Sequence, residues 1–147
     1  MGDEKPAPRE ARSTQNRRFG GAPPAVAALR MEGLLLWVIQ RCDDFPKKHR
    51  FSVGDRWIDS CLDIETGLVE ATYVRDKRGL LAAASRGLVR ARVLARLAAT
   101  LHAISLDQQA HFDRESLEIG RMVGGWLRSL TRRAGEPPRD VGPQAGL

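Results

Sequence analysis

Four segments of this chain repeat their apolar residues at steps of three and four, and none shows the two-residue alternation of a half-buried strand. That periodicity confines them to amphipathic helices. The first runs from Pro24, whose fixed φ suits a first helical turn, to about Asp44, with Leu29, Leu34, Leu35, Val38, Cys42 and Phe45 as its core stripe and Trp37 off its centre. The second spans about Ser52 to Arg75 on the stripe Val53, Trp57, Cys61, Ile64, Leu68 and Ala71, flanked by Ile58, Leu62, Val69 and Tyr73. In the third, from about Lys77 to His102, Leu80, Ala84, Leu88, Ala91, Leu94, Ala95, Ala98 and Leu101 share one arc. The fourth begins at Ser105 or Asp107 and ends near Thr131 or Arg132, with a heptad-like seam of Phe112, Ser116, Ile119, Val123, Trp126 and Leu130. Four helices of similar length on short connections predict an all-α fold, an antiparallel up-down-up-down four-helix bundle over 23–132. Residues 1–22 mix Pro, Gly, Ser and Asn with both charge signs and are predicted to be a disordered basic arm; 133–147 reads as a flexible Pro/Gly-rich tail.

Between the first two helices lies an elbow, Phe45 to Trp57. Pro46 cannot continue a helix, and Ser52 with Asp55 three residues on reads as a new helix start, which makes 47–51 a basic loop. Lys47, Lys48 and Arg50 in that loop are candidate anion ligands. Asp76 is a candidate cap for the third helix. Gly33 costs about 1 kcal/mol in a helix interior and predicts close approach of a neighbouring helix. Gly120, Gly124 and Gly125 predict the same near Trp126.

Charge is distributed more informatively than its total of +6. The third helix carries no acidic residue; Arg78, Arg86, Arg90, Arg92 and Arg96 occupy the arc opposite its apolar one, and Lys77 stands at its start. Arginine donates two parallel hydrogen bonds to a phosphate, so Lys47, Lys48, Arg50, Lys77, Arg78, Arg86, Arg90, Arg92 and Arg96 form the candidate nucleic-acid-binding set. Few aromatics accompany them, so binding is expected to be led by phosphate and weakly specific for sequence. The second helix is mainly acidic, with Asp55, Asp59 and Asp63 four apart, but helical carboxylates alone supply too few ligands for a metal. Cys42 and Cys61 fall at apolar positions and read as small buried hydrophobes of a reduced protein. No segment reaches the roughly 18 apolar residues of a membrane span, no signal core follows the basic N-terminus, and no phosphate loop or nucleophile motif is present. The expectation is a cytoplasmic protein without cofactor, metal or catalytic residues.

The elbow FPKKHRFSVGDR, the passage LVEATYVRDKRGLL, the later RLAATLHAI and the fourth-helix motif EIGRMVGGWLRSL occur in one order between about Leu29 and Leu130. Together they resemble the accessory variability determinant (Avd) family of diversity-generating retroelements. The elbow sets the chain apart from bundle proteins encoded within ribosomal RNA intervening sequences. The resemblance implies a four-helix bundle without enzymatic activity that forms a homopentamer and binds an error-prone reverse transcriptase. It also implies association with nucleic acid, the element's RNA or DNA, in support of mutagenic cDNA synthesis.

Two rivals follow from the residues. Arg96 and His102 have a gap comparable to that of HEPN-class helical ribonucleases, but six positions on one helix separate them by about 240°. His102 reads instead as a packed or helix-ending residue. The other rival is a protein-interaction bundle whose basic face is simply solvated.

Overall fold

The computed structural model describes residues 24–135; the arm over 1–22 and the tail beyond Gly135 lie outside the described residues. Helices only are found among them: α1 (Pro24–Asp43), a single turn α2 (Lys47–His49), a π-helical turn (Arg50–Gly54), α3 (Asp55–Ala71), α4 (Arg78–Thr100) and α5 (Leu106–Gly135). The four long helices α1, α3, α4 and α5 correspond to the four periodic segments.

Each packed pair runs antiparallel. Cys42 meets Gly54 while Glu32 lies near Glu65, Gly67 meets Leu80 while Ile64 meets Gly87, and Leu88 meets Gly120 while Arg92 reaches Ser116. Arg30 pairs with Glu118 at 3.9 Å, and the rings of Trp37 and His111 meet at 4.8 Å with a tilt of 45°, which closes α1 onto α5. No helix of the described residues is long and apolar enough to cross a membrane.

Trp57 is the hub of the core. Fully buried, it places its ring 6.2 Å from Trp37, 6.3 Å from Phe45 and 5.1 Å from Phe112, so one side chain of α3 joins the elbow, α1 and α5. Burial of a ring this size is worth about 3–5 kcal/mol against alanine. Both cysteines are buried and free, and burial pushes each thiol up to about 12.

The elbow differs from the expected basic loop. Pro46 does stop α1, but it also caps α2, and backbone from Lys47 onward stays helical through the π turn into α3. Ser52 is not a cap; its hydroxyl donates back to the Lys48 carbonyl at 3.5 Å. The Cys42 thiol donates to Gly54 O at 3.6 Å, and a Cβ at Gly54 would come within 3.3 Å of the Phe45 ring. Hence the helix starts five residues earlier than the sequence indicates, with the π turn absorbing the misfit of register.

Helix starts are otherwise as expected. Asp76 accepts the Arg78 amide at 3.4 Å. Ser105 and Gln108 form a reciprocal capping box at 2.9 and 3.1 Å. The fourth helix continues to Gly135, past its expected end.

Several core expectations need correction. Leu29 is 69% exposed, because it precedes Leu34 by five residues and points about 140° away; Ala27 and Met31 fill the stripe instead. Leu81 is buried where Leu80 is only partly so, and Leu101 is exposed at the helix end. At Gly33 nothing lies within 4 Å of the place a Cβ would take, and Gly124 and Gly125 meet only Arg128 of their own helix. Of the α5 glycines, Gly120 alone abuts another helix, at Leu88.

Candidate nucleic-acid interface

The nine expected cations fall into four groups rather than one. Lys47, Lys48 and Arg50 lie at the end of the bundle where α1 turns into α3, with Arg50 3.9 Å from Asp43. Lys77 and Arg78 lie at the opposite end, one α3 length or roughly 25 Å away. The α4 arginines occupy the space between, in two rows.

Those rows line different grooves. Arg86 and Arg90 border a cavity of about 460 Å³ between α3 and α4, floored by Ile64, Gly67, Ala84 and Gly87 and edged on the α3 side by Asp63 and Glu70. The Ser60 hydroxyl at its floor is buried without a partner. Arg92 and Arg96 border a second cavity of about 300 Å³ between α4 and α5, beside Gln109 and Asp113. Arg92 donates to the Ser116 hydroxyl at 3.5 Å. Between the rows, Val89, Val93 and Leu97 stand exposed along the crest of α4. The expected uninterrupted basic face is therefore two basic margins around an apolar stripe. Residues four apart on a helix differ by only about 40°, which keeps Arg86 with Arg90 and Arg92 with Arg96, while the two-residue step from Arg90 to Arg92 turns by about 200° and puts the pairs on opposite sides of that stripe.

No carboxylate lies within 4 Å of Arg86, Arg90, Arg92 or Arg96 among the described residues, whose ion pairs involve only Arg30, Arg50 and Arg121. These four of the α4 guanidinium groups thus have no carboxylate partner among the described residues, and Arg92 alone of them has a side-chain hydrogen bond there, to Ser116.

The match to protein families decides where this arrangement belongs. A profile described as bAvd-like covers residues 25–130. The chain is a member of the bAvd-like family. The Avd-like family is one of accessory proteins rather than a known enzyme family. No curated protein and no solved structure matches the chain.

The ribonuclease reading finds little in the geometry of this bAvd-like bundle. His102 is an exposed helix-ending residue with φ 58°, and it does not line the groove that Arg96 borders. No group of three or more His, Cys, Asp or Glu side chains that could hold a metal occurs among the described residues.

Two cations escape a reading of the sequence. Arg75 and Arg133 line a cavity with Lys77 and Arg78 at the α3–α4 end of the bundle. No local signal points to this grouping, because Arg133 is distant in sequence and falls in the segment that reads as tail.

Proposed function

We propose that this protein is a non-enzymatic accessory subunit of a diversity-generating retroelement that works in the cytoplasm. It binds template RNA, and the cDNA made on it, through the arginine margins of α4, while contacting the reverse transcriptase. The observation that carries this reading is α4 itself: five arginines, Arg78 included, without a partnering carboxylate among the described residues, on a helix with no acidic side chain. Family membership supports the accessory role.

Phosphate binding by such arginines releases counterions, so affinity for RNA falls linearly with salt on logarithmic axes. Arg86, Arg90, Arg92 and Arg96 changed together to Gln should weaken binding across unrelated sequences and flatten that slope, with the helical content unchanged. Undiminished binding by this variant would move the interface elsewhere on the molecule.

The exposed Val89, Val93 and Leu97 favour a protein contact on the same helix, since phosphate does not reward apolar side chains. Two occupants are proposed for such surfaces, the polymerase and further copies of the chain. Self-association into a homopentamer, as the family resemblance implies, has physical support in two unlike faces. The α1/α3 side exposes Leu36, Leu62 and Val69 around Glu32 and Glu65, and the α4 side exposes its apolar stripe between arginines. Contacts between unlike complementary faces are heterologous and form a ring where the rotation between copies closes, in contrast to isologous dimers. Copurification with the element's reverse transcriptase, and the mass of the free protein in solution, test the two contacts separately.

A further inference from the structure

At the end of the bundle where α3 passes to α4, a cavity of about 390 Å³ gathers Arg75, Lys77 and Arg78 from the connection and Arg133 from the last turn of α5. The four cations come from segments more than fifty residues apart, so the fold, not a local run of sequence, brings them together. One acid lines the same cavity, Asp76, and its Oδ1 is taken by the Arg78 amide at 3.4 Å. None of the four cations has a carboxylate within 4 Å among the described residues. Lys77 is held in place rather than free, its ammonium 5.2 Å from the centre of the Trp126 ring.

The charges here oppose the helix they stand on. The N-terminus of a helix carries a partial positive charge and is stabilised by anions, yet α4 begins with Lys77 and Arg78 and has no acidic residue in its first turn. Arg133 answers the carbonyl end of α5, but that account does not extend to Lys77 and Arg78. An anion in the cavity would turn this unfavourable grouping into a favourable one.

We infer that this cavity is a phosphate seat for a phosphate monoester or diphosphate, separate from the α4 grooves and distinct from binding along a strand. Its chemistry is shared by a strand end and by a free nucleotide. The inference does not depend on RNA binding along α4, because inorganic pyrophosphate is a sufficient probe.

Titration of the full chain with pyrophosphate at low salt, followed by amide NMR, should be saturable and should shift Arg75, Lys77, Arg78 and Arg133 first. Arg75→Gln with Arg133→Gln should weaken it by about tenfold or more, whereas the charge-matched Arg56→Gln with Arg114→Gln should not. Unsaturable binding, shifts spread along α4, or equal losses in both double variants would overturn the assignment. Tighter binding of a 5′-phosphorylated oligonucleotide than of its hydroxyl form identifies a strand end as the source. Equal affinity for a mononucleotide and the phosphorylated oligonucleotide identifies the free nucleotide. Oligonucleotides bound alike with or without the terminal phosphate, together with no binding of a mononucleotide, would reject the seat.

Discussion

Gly87 and Gly33 are both interior helix glycines, but their surroundings are opposite. A Cβ at Gly87 would stand 2.7 Å from Cγ1 of Ile64, close to the backbone of a buried branched side chain, while Gly33 faces open space. Gly87→Ala is expected to destabilise by about 1–3 kcal/mol through overpacking, less the propensity it gains. Gly33→Ala should stabilise by up to about 1 kcal/mol. Urea denaturation of the two variants tests both signs. Glu65 supplies a pH prediction. Burial, and then the nearby Glu32 carboxylate, raise its carboxyl from 4.5 to about 7. The folded state therefore holds this proton more tightly than the unfolded chain does, and stability falls as pH rises from about 4.5 to about 7. Glu65→Gln should flatten that fall and raise the denaturation midpoint at pH 8; an unchanged pH profile would contradict the assignment. Neither the open space at Gly33 nor the carboxyl pair is visible in a residue string, because both depend on what the facing helix presents.

At the scale of elements, helix ends show how local chemistry and tertiary demand divide the work. The α4 terminus closes with Ala103 N–H bonding to Ala98 O at 2.9 Å and His102 N–H to Ala99 O at 3.0 Å, a Schellman motif with His102 in the left-handed position at φ 58°. Glycine adopts that conformation without a Cβ penalty, so His102→Gly should stabilise by about 0.5–1 kcal/mol after its greater unfolded-state entropy is counted. Thermal denaturation reads the effect, and a loss of stability would mean that the imidazole makes a contact worth more than the strain. The helix-ending role of His102, the Asp76 cap and the Ser105 start were all legible, since each rests on side chains within a few residues. The elbow was not: its π turn exists to seat Phe45 and Cys42 against Gly54, a contact between segments that only packing creates. The α4 arginines were likewise countable in sequence, but their separation into two grooves depends on where α3 and α5 lie.

At the scale of the molecule, the outer surfaces are unevenly finished. Val89 is 55% exposed and Leu36 is 55% exposed, on faces of differing charge. If those faces meet between copies, Val93→Glu or Leu36→Asp should lower the assembled mass seen by light scattering without loss of helix, since both sites lie outside the buried core. An unchanged mass in both variants would exclude these faces from the assembly. By itself the sequence determined the helical class, the four apolar stripes, most of the core and the membership in a family, because periodicity and short ordered motifs are local properties. Only the tertiary structure decided that the elbow is helical, and that Arg75 and Arg133 share one cavity with Lys77 and Arg78. Those outcomes depend on distances between helices, and the spacing of residues along a single helix carries no record of them.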